Sequence, residues 1–89
     1  MSQTFGEYVK AERERQGISE KGLAKRISKH PSTLARVESG FIAVPTPDFF
    51  MDLVGELNLD IVTAMNLLGP YKRIYDSLIN ATRKGENNG

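Results

Sequence analysis

Apolar residues along this chain recur at intervals of three and four, the spacing that places side chains on one face of an α-helix. Phe5, Val9 and Arg13 lie four apart, which predicts a first helix that starts after Thr4 and stops near Gln16. Thr4 and Glu7 have the spacing of a capping box. Gly17 suits the left-handed residue that closes such a helix, with Ile18 as the apolar contact just beyond it. A second helix is predicted from Ser19, with Leu23, Ala24 and Ile27 as a narrow apolar stripe. A third starts at His30-Pro31, turns Leu34 and Val37 inward and ends at Gly40. After a loop from Phe41 to Thr46, a fourth helix near Thr46-Pro47 carries Phe50, Leu53, Val54 and Leu57. A fifth runs from Asp60 through Ile61, Ala64, Met65 and Leu68, and Gly69-Pro70 interrupts it. A sixth runs from Tyr71 to about Arg83, with Tyr71, Ile74, Tyr75, Leu78 and Ile79 on one face.

No stretch alternates apolar and polar residues with period two, so the fold class is all-α. The 89 residues suffice for one domain. Without cysteine there is no disulfide framework and no thiolate metal site, which fits a reducing cytosol. No export signal is visible in Met1–Lys10, and no apolar run approaches the ~20 residues of a membrane span, so a soluble cytoplasmic protein is expected. The formal net charge is only +1, but it is unevenly spread. Residues 1–44 hold eight Lys/Arg and five Asp/Glu, whereas residues 45–89 hold four and six. Such asymmetry is what a face turned toward an anion would show.

The second and third predicted helices are short and separated by Ser28-Lys29-His30. Helices joined so closely must cross steeply. Ala24 supplies the small residue where the backbones meet, and Leu23, Ile27, Leu34 and Val37 lock the corner. This is the helix-turn-helix arrangement, whose second helix projects its first turns into a major groove.

The chain resembles the phage repressor/Cro (Xre-like) family over Phe5 to about Leu68. The resemblance rests on Gly17-Ile18-Ser19, Leu23-Ala24, Ser32-Thr33-Leu34-Ala35-Arg36-Val37-Glu38-Ser39-Gly40, Pro45-Thr46 and Leu53-Val54-Gly55-Glu56-Leu57, in that order. It implies a compact five-helix, lambda-repressor-like domain over residues 1–69, an additional C-terminal helix over 70–83 and a disordered tail over 84–89. It further implies that Pro31, Ser32, Thr33 and Arg36 meet base edges. Arg36 is the strongest candidate, because a guanidinium can donate two hydrogen bonds to guanine. Ser19, Lys21, Lys25, Lys29 and Ser39 would contact the DNA backbone, the free amides at the start of the second helix suiting a phosphate. Arg13 and Glu38 would form a structural ion pair.

Four departures from the family pattern bear on this reading. Pro31 removes a donor from the reading surface and leaves an apolar contact, suited to a thymine methyl. Glu20 stands where Gln is usual and would repel a phosphate. Ser28 stands where the turn commonly has Gly. The loop Phe41-Ile42-Ala43-Val44 lacks the usual basic residue, and its apolar character favours packing into the core over an exposed partner patch.

The rest of the chain offers no catalytic constellation. His30 reads as a capping residue, and Asp48, Asp52, Glu56 and Asp60 as an exposed acidic face. No enzyme activity, cofactor or metal is expected. The expectation is a bacterial or phage-encoded transcription regulator, most readily a repressor, that binds double-stranded DNA and is nucleoid-associated when bound. A homodimer is expected through Tyr75, Leu78 and the fifth helix. The alternative is a helix-turn-helix-fold interaction module, of anti-repressor or antitoxin type, with a protein partner on the 41–44 loop.

Overall fold

The computed structural model describes residues 3–87, with side chains through Thr82. Its helices are α1 (Phe5–Arg15), α2 (Glu20–Arg26), α3 (Pro31–Ser39), α4 (Pro47–Leu57), α5 (Ile61–Asn66) and α6 (Gly69–Asn87). No strand occurs among the described residues, and the fold is all-α.

Side chains set the helix starts. At α1 the Glu7 amide donates to Thr4 Oγ1 at 3.0 Å while the Thr4 amide donates to Glu7 Oε1 at 2.9 Å, which completes the capping box. Ser19 Oγ accepts from the Gly22 amide at 2.9 Å, Thr46 Oγ1 from Phe49 at 3.4 Å and Asp60 Oδ2 from Thr63 at 3.1 Å. His30 caps α3, its Nδ1 accepting from the Ser32 amide at 3.1 Å, with Pro31 in the first turn where a missing N–H leaves nothing unpaired.

Two left-handed residues close α1 and α2 in the same way. Gly17, with φ 70°, lets the amides of Ile18 and Gly17 reach the carbonyls of Arg13 and Glu14, both at 3.0 Å. Ser28, with φ 57°, does the same for Lys29 to Ala24 at 2.9 Å and Ser28 to Lys25 at 3.2 Å. The α2–α3 turn is therefore closed by a serine in a conformation that glycine adopts more easily.

The core sits where α1, α2, α3 and α4 converge. Val9, Leu23, Leu34, Val37, Leu53 and Leu57 are wholly buried, each contributing roughly 1.5–3 kcal/mol. Ala24 is equally buried, as the corner requires. Gly6 lets α1 lie against the end of α3: a Cβ there would meet the Val37 carbonyl and stand 2.8 Å from that of Glu38. Phe49 and Leu59 also enter the core, although the helical stripe alone pointed to neither.

The C-terminal part differs from expectation in its boundaries. The fifth helix ends at Asn66 rather than Leu68, and α6 begins at Gly69 rather than Tyr71. Pro70 thus falls in the first turn of α6, where it breaks no hydrogen bond. Tyr71 roots this helix. Its ring stacks on Phe50 with centroids 4.5 Å apart, and its buried hydroxyl donates to the Pro45 carbonyl at 2.8 Å. Beyond that anchor α6 packs on α5 and extends away from the core, giving extents of 50 × 26 × 22 Å. Helix α6 continues through Asn87, where a tail was expected from residue 84, and 88–89 lie outside the described residues.

Candidate nucleic-acid interface

The corner formed by α2 and α3 presents a polar surface over an apolar base. Leu34 and Val37 face the core from α3, while Ser32 and Arg36, one turn apart, are exposed and Pro31 and Thr33 are half-buried. The four candidate base-contacting side chains therefore lie on the N-terminal and outward part of one helix. Among the described residues no carboxylate pairs with Arg36, so its fork of donors is free for a ligand. The Ser32 hydroxyl is 2.7 Å from His30 Nδ1, which also accepts the Ser32 amide, so the hydroxyl is held at the start of α3.

The backbone candidates divide in two. Lys21 and Lys25 are exposed one turn apart on α2 and, with Ser28, Lys29, His30 and Pro31, line a shallow concavity beside the turn. The others already have partners in the fold. Ser19 Oγ is occupied by the cap of α2. Lys29 Nζ lies 5.0 Å from the centre of the Phe49 ring, a cation–π contact that ties the turn to α4. The Ser39 hydroxyl donates to the Arg36 carbonyl at 3.2 Å and accepts from the Phe41 amide at 3.5 Å.

Arg13 and Glu38 come together as a buried bidentate pair. Arg13 Nε donates to Glu38 Oε2 at 2.7 Å and a terminal nitrogen to Oε1 at 3.0 Å. The other terminal nitrogen donates to the Ile18 carbonyl at 2.8 Å, so one guanidinium joins α1, the α1–α2 turn and the end of α3. This hydrogen bonding with Glu38 raises the Arg13 pKa further above its already high ordinary value. Glu20 stands near the same pair. Burial, followed by a hydrogen bond to Glu38 and the charge of Glu38, pushes its carboxyl up, while Arg13 and Lys10 pull it down. The sequence marked Glu20 only as a residue that repels phosphate; its place beside a second carboxylate required the packing of α2 on α3.

The loop after α3 corrects the expectation that it packs into the core. Only Ile42 packs against the core, while Phe41 is 80% exposed and Val44 44% exposed. The Ile42 amide donates to the Arg36 carbonyl at 3.0 Å, which pins Ile42 and turns its neighbours outward. Phe41 thereby comes over α3, its ring centre 5.9 Å from the Arg36 guanidinium carbon. Sequence reasoning missed this contact; the signal was an aromatic residue placed just after the closing glycine, five residues beyond Arg36.

A helix-turn-helix fold, with its second helix bearing an unpaired exposed arginine, defines the class of DNA-binding helix-turn-helix domains. The helix-turn-helix family model matches residues 9–63, more than half of the chain, and the chain belongs to that family. The match spans the stretch in which the repressor/Cro-like pattern lies, from α1 through the first residues of α5. It is a family of DNA-binding regulatory domains and is not typically enzymatic. No curated protein and no solved structure matched the chain. Among the described residues no helix is long and apolar enough to cross a membrane.

Proposed function

We propose that this protein is a sequence-specific, double-stranded-DNA-binding transcription regulator that acts as a repressor by occupying its site. In this reading α3 enters the major groove, Arg36 reads a guanine through O6 and N7, and Pro31, Ser32 and Thr33 meet neighbouring base edges. Lys21 and Lys25 hold the flanking phosphates, with Ser19, Lys29 and Ser39 as closer-range backbone contacts. The observation that carries the reading is the exposed, uncompensated Arg36 guanidinium one turn after Ser32 on a helix otherwise fixed by its buried face. This reading places the protein in the cytoplasm and calls for no cofactor in base recognition.

The protein acts as a homodimer in this account. Ile74, Leu78 and Ile79 on α6 are 52%, 62% and 38% exposed, with Ile61 and Val62 of α5 alongside at 46% and 42%. Tyr75, in the same stretch of α6, is half-buried. Such an apolar stripe favours burial against a second copy, and two-fold related reading helices suit half-sites about one helical turn apart. The test is selection of bound fragments from random duplex DNA, repeated with Arg36→Ala. The variant should lose preference at one or two base pairs, and a uniform loss across all sequences would recast Arg36 as a phosphate contact.

One observation favours a second reading, a protein-interaction module of anti-repressor or antitoxin type. Phe41, beside Arg36, and Val44 of the same loop are both exposed apolar side chains on which a partner could dock. Failure of the protein to be retained on mixed duplex DNA at low salt would favour that reading.

A further inference from the structure

Phe41 is more exposed than any other large apolar side chain described, yet its position is fixed by its neighbours. Gly40, at φ 88°, reverses the chain as α3 ends. The Ile42 amide is bound to the Arg36 carbonyl at 3.0 Å, and the Ile42 side chain packs on the core. The Phe41 amide reaches Ser39 Oγ at 3.5 Å. Between these points the ring faces Arg36, with 5.9 Å from ring centre to guanidinium carbon.

A guanidinium is attracted to an aromatic face, and contact with that face leaves the N–H groups along its edge free to donate. An isolated exposed arginine samples many rotamers and must give up that freedom when it engages a base. A ring beside it narrows the choice beforehand, so less is lost for each hydrogen bond formed. Arg36 has no carboxylate among the described residues to do this instead.

We propose that Phe41 is a positioning residue for Arg36, holding the guanidinium for base recognition and thereby sharpening sequence discrimination. The proposal rests on the reading of Arg36 as the base-contacting arginine. It gives the outward ring a role within DNA recognition and needs no further partner.

The test uses the full chain, the duplex selected by the wild-type protein and its single-base-pair variants. Phe41→Leu should reduce discrimination at the base pair read by Arg36 about two- to fivefold, within the range for having to order one rotamer-rich side chain on binding. Affinity for unrelated duplex should stay unchanged, the thermal midpoint should fall by no more than about 4–8 °C as the contact leaves the free fold, and Phe41→Tyr should restore discrimination. In NMR spectra, the upfield ring-current shift of the Arg36 δ protons should be lost in Phe41→Leu and kept in Phe41→Tyr. Wild-type discrimination in Phe41→Leu, a uniform loss over all sequences, or the absence of the ring-current shift would overturn the proposal. Arg36→Ala separates the two levels. If it alters base preference while Phe41→Leu does not, only the positioning role fails. If it leaves preference intact, or the wild-type protein selects no sequence, the underlying reading fails and the proposal with it.

Discussion

Arg13 concentrates more of the geometry of this domain than any other polar side chain. Its three hydrogen bonds to Glu38 and the Ile18 carbonyl fix the end of α3 relative to α1 and the entry to α2. Because the pair is buried, removing one partner leaves an uncompensated charge, whereas removing both need not. Glu38→Ala should destabilise by about 3–5 kcal/mol, and Arg13→Met added to it should recover part of that loss. A double-mutant cycle in urea checks this, and additive effects would contradict it. Glu20 makes the opposite prediction. Its folded-state pKa is raised, so the folded state binds its proton more tightly than the unfolded state. Charged Glu20 therefore detracts from stability at neutral pH, and the deficit disappears as pH falls through the raised value toward the ordinary carboxylate range. Glu20→Gln should be more stable than wild type at pH 7 and converge with it in acid, as urea titrations at several pH values would show. It should also bind duplex DNA about two- to fivefold more tightly at neutral pH, since a like charge leaves the phosphate-facing end of α2.

The turn between α2 and α3 is the element on which the proposed reading depends, because it sets how far α3 projects. It is closed by a serine at φ 57°, a conformation that costs an L-residue roughly 1–2 kcal/mol and glycine much less. Part of that difference is offset by glycine's greater freedom in the unfolded chain. Ser28→Gly should therefore stabilise by about 0.5–1 kcal/mol, measured as a raised denaturant midpoint with an unchanged slope. Much of this level was legible beforehand. Thr4, Ser19, His30, Thr46 and Asp60 all cap as their residue types suggest, since a cap is a local hydrogen bond and leaves a local signature. The end of α5 was misplaced because Gly69-Pro70 reads as a breaker, although proline is tolerated in the first turn of a new helix. The 41–44 loop was misjudged for a different reason. Apolar composition indicates that burial is favourable, but which side chain turns inward is set by a backbone hydrogen bond from Ile42 to Arg36, twisting Phe41 outward. The Phe41–Arg36 contact is a consequence of that same turn and could not be seen from spacing alone.

At the scale of the whole molecule, two of the surfaces exposed among the described residues bear on the account. One is the face of Ser32, Thr33 and Arg36 with Lys21 and Lys25 beside it, and the other is the stripe of Ile74, Leu78 and Ile79 on α6. The account joins them: the second surface pairs two copies so that the first can meet two half-sites. Leu78→Asp should convert the dimer to a monomer in sedimentation, leave the helical content unchanged and weaken binding to a two-half-site duplex far more than to a single half-site. A wild-type protein that sediments as a monomer at high concentration, with and without DNA, would remove the dimer from the account. The central claim is that α3 reads duplex DNA, and the salt dependence of binding to a selected duplex tests it most directly. The account predicts that affinity falls linearly on a log–log plot with a slope of about −0.9 per phosphate neutralised. It also predicts that Lys25→Ala reduces the slope by about one unit, and that Arg36→Ala changes base preference. No selected sequence and no retention on duplex at low salt would contradict it.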